Sequence, residues 1–132
     1  MTGAPQSATI LVADDEQDIR ELVAYRLSRA GYRVIQARDG EEAYQLASAG
    51  QGLDLAVLDV MMPRLNGFDL TFRLRQSPLT ARLPVLLMSA SVQEADIARG
   101  LNAGANSYLT KPFNPDELLA QVRELLARRG PD

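Results

Sequence analysis

Cysteine and histidine are both absent from the 132-residue sequence. Without cysteine there is no disulfide, no thiol nucleophile and no thiolate metal site. Without histidine, imidazole acid–base catalysis, serine–histidine–aspartate triads and the usual zinc ligands are excluded. Any phosphohistidine chemistry must therefore come from a partner. An excess of positive charge is also lacking, with 14 Lys and Arg against 17 Asp and Glu. The formal net charge is −3, and a DNA-binding surface needs a basic patch. Long hydrophobic runs are missing too: the longest are short, such as Pro84–Met88, far below a membrane span. Met1–Ala8 lacks the basic start and apolar stretch of a signal peptide. These absences lead us to expect a cytoplasmic protein that contacts neither membrane nor nucleic acid directly.

The length suits one domain, large enough to bury a core without covalent staples. Residues 1–8 read as a loose tail, 9–129 as the domain and 130–132 as a short C-terminal tail. Ile10–Ala13, Leu53–Leu58 and Pro84–Met88 are short apolar runs without in/out alternation, the pattern of strands covered on both faces. Arg33–Ala37 and Ser107–Thr110 are more polar and read as flanking strands. Between them lie helical stripes. Ile19, Leu22, Val23, Arg26, Leu27 and Ala30 share one spacing, with Gly31 where a C-terminal glycine belongs. Ala43, Leu46 and Ala47 make a second stripe. Phe68, Phe72 and Leu74 make a third, stopped by Ser77-Pro78, and Leu118, Leu119, Val122, Leu125 and Leu126 make the last. Asp39–Glu42, Ser91–Glu94 and Asn114–Glu117 each resemble a capping box, and Pro115 suits the first helical position. The stripe across Val92–Ala103 is thin, so this helix is expected to be the element most able to move. The alternation predicts an α/β fold: a doubly wound, five-stranded parallel sheet in the order 2-1-3-4-5, with five helices on its two faces.

In such a fold the site lies beyond the C-terminal ends of the strands, near strands 1 and 3. Asp14 and Asp15 follow strand 1, Asp59 follows strand 3, Ser89 follows strand 4, and Lys111 with Pro112 follows strand 5. Three gathered carboxylates repel one another and must share protons or hold a cation. An all-oxygen donor set selects a hard ion such as magnesium. Magnesium beside an aspartate suits phosphoryl transfer, and an aspartate can itself become an acyl phosphate. Ser89 and Lys111 would face the phosphoryl oxygens. Lys111 is the single lysine among fourteen cationic side chains. The bias to arginine is broken here, and a compact ammonium and a broad planar guanidinium are not equivalent in a tight site.

The set Asp14-Asp15, Asp59 with Met61-Met62-Pro63 and Gly67, Ser89-Ala90 and Tyr108–Phe113 resembles the receiver domain of two-component response regulators, across about residues 9–128. The resemblance implies a flavodoxin-like fold and a phosphoacceptor at Asp59. It implies magnesium held by Asp15 directly, by Asp14 through water, by Asp59 and by the Met61 carbonyl. Ser89 and Lys111 would bind the phosphoryl group, Ser89 and Tyr108 would form a switch pair, and the Lys111–Pro112 peptide would be cis. A histidine kinase or phosphotransfer protein would donate the phosphoryl group, and a downstream protein would dock on the 92–129 surface. Self-catalysed phosphorylation and dephosphorylation are expected, without separate small-molecule turnover. Receivers joined to winged-helix DNA-binding domains usually carry acids before the switch aromatic and an arginine in the last helix. Asn106, Ser107 and Gln121 stand there instead, which puts that salt-bridged dimer in doubt. A regulator that signals by itself and a domain cut from a larger protein both remain open.

Blander readings compete residue by residue. Asp14 and Asp15 could cap the first helix, Asp59 could be a turn residue, Ser89 could be one of the serines common after strands, Tyr108 could be a half-buried edge residue with its hydroxyl in water, and Lys111 could be a solvated surface charge. Five such accidents on one rim are far less economical than one site. Phe68, Phe72 and Phe113 are assigned to packing, and the Met61 side chain is expected to hinder an attacking water. Among rivals, a flavodoxin-like cofactor binder needs a Ser/Thr/Gly-rich phosphate loop where Asp-Asp-Glu stands. A haloacid-dehalogenase-like phosphatase needs a two-aspartate motif and usually a cap domain. A degenerate receiver that only binds is opposed by the complete residue set.

Overall fold

A computed structural model describes residues 8–128. The tail assignments at 1–7 and 129–132 lie outside the described residues. Strands and helices alternate: β1 (Thr9–Ala13), α1 (Gln17–Arg29), β2 (Arg33–Ala37), α2 (Gly40–Ser48), β3 (Leu55–Asp59), α3 (Gly67–Gln76), β4 (Val85–Ser89), α4 (Glu94–Ala103), β5 (Ser107–Thr110) and α5 (Pro115–Arg128). All neighbouring strands are parallel, in the order β2-β1-β3-β4-β5. β3 starts later than the apolar run suggests. Asp54, just before it, donates its N–H to the Thr9 carbonyl, and its carboxylate accepts the Thr9 N–H at 2.8 Å.

Successive residues of a strand face opposite sides of the sheet, and here both sides are covered. Leu11, Ala13, Ala56, Leu58, Val85 and Leu87 pack with Ala43 and Ala47 of α2 and Phe68, Leu70 and Leu74 of α3. Ile10, Val12, Leu55, Val57, Leu86 and Met88 pack with Val23 and Leu27 of α1 and Leu118, Val122 and Leu125 of α5. That is why the central strands carry no polar face. Each fully buried Leu or Val contributes about 1.5–3 kcal/mol.

Helix faces depart from the sequence stripes in two places. The buried face of α1 is Arg20, Val23, Ala24 and Leu27, while Leu22 and Arg26 are exposed. In α3 the buried stripe is Gly67, Leu70, Thr71 and Leu74. Phe68, at its edge, lies under Arg99 of α4 and is buried; Phe72 is 58% exposed and not a packing residue. Phe113 packs partly buried against the α1/α5 core.

The helix ends follow local chemistry. Gly31, beyond the Ala30 cap, takes φ 101°, a conformation that costs glycine little. Asn114 and Glu117 exchange both capping-box bonds, at 3.0 and 2.8 Å. Asp39 accepts the Glu42 N–H, but Glu42 reaches back to the Arg38 N–H instead of Asp39. The Ser91–Glu94 box does not form. α4 begins at Glu94 with Gln93 as its cap, and no side chain caps it. The Ser91 hydroxyl instead donates to Asp96 at 2.6 Å and accepts the Gln93 N–H. It sits two residues too early to reach the helix donors. The thin stripe of α4 is real, since Gly100 alone among its residues is buried. Among the described residues no helix is long and apolar enough to cross a membrane.

Candidate functional site

Sheet register brings the polar residues to one rim. Ala13 pairs with Leu58, so Asp14 stands level with Asp59. Asp59 pairs with Met88, so Ser89 lies one residue further. Ser89 pairs with Thr110, which places Lys111 one step beyond that. The tips form a staircase around the gap between β1 and β3, the switch point of the topology.

Carboxylate oxygens of Asp14, Asp15 and Asp59 lie within 4.8 Å of one another. Asp14 is fully buried, Asp59 is 4% exposed and Asp15 is open to solvent. The Lys111 ammonium donates to Asp59 Oδ1 at 2.8 Å and to Asp14 Oδ2 at 3.2 Å. Its side chain is only 17% exposed, which rules out a solvated surface charge. Burial, with repulsion from Asp14 and Asp15, pushes the Asp59 carboxyl up from 3.8 to about 6 against the pull of Lys111. Burial lowers the Lys111 ammonium, but the bonds and charges of Asp59 and then Asp14 outweigh it, so its pKa is raised.

Asp14 does not cap α1. The cap is Glu16, and Asp14 Oδ1 accepts the Glu16 N–H at 2.9 Å within the turn. Ser89 is buried, and its hydroxyl oxygen accepts the Ser91 N–H at 3.1 Å. Tyr108 stands apart from the acids, half-buried, and its hydroxyl donates to the Ser91 carbonyl at 3.2 Å. Ser91 thus touches both. The Met61 side chain is 73% exposed, and the Lys111–Pro112 peptide is cis. In the loop between β3 and α3, Arg64 takes φ 72°, a strained conformation for a non-glycine residue. A cleft of about 610 Å³ opens beside Asp59's strand, walled by Val60, Met61, Phe68, Ser89 and Arg99. A larger hollow of about 700 Å³, near Leu53, Leu79 and Leu83, includes none of these acids or Lys111 in its walls.

Sequence reasoning missed Arg20. It is 8% exposed. Its Nη1 donates to the Asp14 carbonyl at 3.0 Å and its Nε to the Gln36 side chain at 3.1 Å. The available signal was its spacing, three before Val23 and seven before Leu27, on the face that packs inward.

A family model described as the response regulator receiver domain matches residues 10–123. The chain belongs to this family. The alkaline phosphatase synthesis transcriptional regulatory protein PhoP of Bacillus subtilis is 47% identical over 119 residues, covering 90% of this chain and 48% of the relative. The phosphate regulon transcriptional regulatory protein PhoB of Pseudomonas aeruginosa is 39% identical over 123 residues, covering 93% and 53%. This receiver domain therefore spans about half the length of these curated relatives. Among solved structures, the chemotaxis response regulator CheY4 of Vibrio cholerae superposes with TM-score 0.85 at 33% identity, covering 90% of this chain and 98% of that one. The receiver domain of the sensor histidine kinase PA1611 from Pseudomonas aeruginosa gives TM-score 0.85 at 29% identity, covering 92% and 98%. That structure holds a magnesium ion in its active site cleft. The cluster of this receiver domain fits such an ion on its own chemistry. Its donors are all oxygens, and the repulsion from Asp14 and Asp15, which adds to burial in raising Asp59, is what a divalent cation relieves.

Proposed function

We propose that this receiver domain accepts a phosphoryl group on Asp59 from the phosphohistidine of a histidine kinase or phosphotransfer protein. An Asp59 carboxylate oxygen attacks phosphorus and forms the O–P bond of an acyl phosphate. The P–N bond breaks, and the imidazole nitrogen leaves with its electron pair. Attack needs the carboxylate form, and a pKa of about 6 leaves Asp59 mostly ionised at neutral pH. The observation that carries this reading is the placement of Lys111, 2.8 Å from Asp59 and 3.2 Å from Asp14. An ammonium so placed holds the nucleophile in line and can turn to the phosphoryl oxygens as charge builds there.

Asp14, Asp15, Asp59 and the Met61 backbone carbonyl would hold magnesium. When bound, the ion offsets charge between the acceptor and the phosphoryl oxygens. Ser89 would donate its hydroxyl to the phosphoryl group, releasing the Ser91 N–H it now accepts. Because Tyr108 bonds to the Ser91 carbonyl, the same loop links site and switch residue. A phosphoryl group adds roughly two negative charges, enough to shift the population of the sparsely packed α4 and the 92–129 surface, where a downstream protein would dock. This domain would touch no nucleic acid itself.

Incubation with magnesium and acetyl phosphate, followed by intact mass, tests the reading. A phosphoryl-sized gain that requires magnesium and disappears in Asp59→Asn is expected. No gain, or a gain that survives in Asp59→Asn, refutes it.

A further inference from the structure

Asp15 presents an orientation problem. It is the exposed member of the acid cluster, and among the described residues its carboxylate makes no hydrogen bond or ion pair with the protein. Asp14, in contrast, is tied by the Glu16 N–H and by Lys111. The direction of Asp15 must therefore come from its backbone. The Asp14 carbonyl belongs to the rigid peptide plane that leads into Asp15. Its hydrogen-bond donor is Arg20 Nη1, at 3.0 Å, in a buried contact. Arg20 is itself anchored: its backbone N–H donates to the Glu16 carbonyl, and its Nε is held by Gln36 on β2. Among the described residues no carboxylate lies within the ion-pair distance of its guanidinium. A buried arginine without an acidic partner costs stability unless its fork is well used.

We infer that Arg20, oriented by Gln36, is a positioning residue for the cation site, fixing the Asp14–Asp15 peptide so that the Asp15 carboxylate faces Asp14 and Asp59. This rests on the proposed binding of magnesium by the three acids. Arg20 touches neither ion nor phosphoryl group and acts through the backbone.

Charge and geometry predict opposite signs. Removing a cation near an acidic cluster makes the potential more negative and tightens magnesium binding. Loosening the peptide that aims Asp15 weakens it. Supporting groups behind metal ligands typically change affinity by about tenfold or more when lost.

The test is a magnesium titration of the full chain, followed by calorimetry and by the backbone amide signals of Asp14, Asp15 and Glu16. Wild type, Arg20→Met and Gln36→Leu are compared. Arg20→Met is expected to weaken magnesium affinity about tenfold while keeping a dispersed amide spectrum. Gln36→Leu, which leaves the charge in place, is expected to weaken it less, in the same direction, and it keeps the inference testable if Arg20→Met fails to fold. Unchanged affinity in both variants, or tighter binding in Arg20→Met, overturns the inference alone. Absence of magnesium binding by the wild type overturns the underlying reading and the inference with it.

Discussion

Replacing Lys111 by methionine removes the ammonium that sits between Asp59 and Asp14 and leaves a side chain of similar length. The gross attraction at about 3 Å and an effective dielectric of about 20 is roughly 5 kcal/mol per pair. Breaking one side of a buried pair typically costs about 3–5 kcal/mol. Two features reduce that here. The Lys111 side chain keeps 17% exposure. Asp59, already at about 6, can take up a proton instead of remaining an uncompensated charge. We expect a loss of about 2–3 kcal/mol at pH 7.5 without metal, or a fall in Tm of roughly 6–12 °C for a chain of this size. The pH dependence follows from Asp59. Its folded-state value is raised, so it favours folding below its ordinary value of 3.8, and that contribution is lost as pH rises through about 6. Without Lys111 the value rises further, and the variant's deficit opens as pH climbs past 6. Near pH 5, Asp59 is mostly protonated in both proteins and the deficit shrinks. Lys111's own value is raised above 10.5, so its contribution is constant across this window. Urea denaturation at pH 7.5 and pH 5 reads the difference. An equal loss at both values, or a variant more stable than wild type at pH 7.5, refutes the reasoning.

Three further outcomes follow from the same geometry. Magnesium affinity, read by calorimetry, should fall as pH drops through about 6, because the proton on Asp59 must leave before the carboxylate can bind a cation; equal affinity at pH 7.5 and 5 contradicts Asp59 as a ligand. Met61→Asn should speed loss of the phosphoryl group, since an exposed apolar side chain two residues after Asp59 is replaced by one that can hydrogen-bond water; an unchanged decay of the phosphorylated mass removes the shielding role. Gly67→Ala should destabilise by about 1–3 kcal/mol, because a Cβ there would lie 2.6 Å from the Asp59 carbonyl oxygen and 2.9 Å from Val60 Cα. Both are backbone atoms that cannot swing aside, and a Tm equal to that of wild type would show that the loop yields.

Much of this architecture was legible because parallel-sheet strands announce themselves. Runs such as Val85–Met88 are apolar throughout, since both faces are covered. The strand tips then placed Asp14, Asp15, Asp59 and Lys111 on one rim, and the structure brings these four side chains together. Ser89 is on the same rim but bonds to Ser91, and Tyr108 meets it only through that loop. Helix faces were read less well. Periodicity weighs apolar residues, so it passed over Arg20, whose aliphatic stem is buried while its fork binds a carbonyl and an amide oxygen. It also overvalued Leu22 and Phe72, which fit a helical spacing but find no partner layer. The Ser91–Glu94 spacing predicts a capping box, yet α4 starts only at Glu94, and the Ser91 hydroxyl donates to Asp96 and accepts the Gln93 N–H instead. Such choices depend on tertiary neighbours that no local window contains.

The most direct test of the central claim is where the phosphoryl group goes. After incubation with magnesium and acetyl phosphate, borohydride reduction converts an acyl phosphate to homoserine, and peptide mass mapping locates it. We predict homoserine at position 59, with Asp14 and Asp15 intact. Conversion at 14 or 15 instead, or a phosphoryl group on Ser89 that resists reduction, would contradict the account.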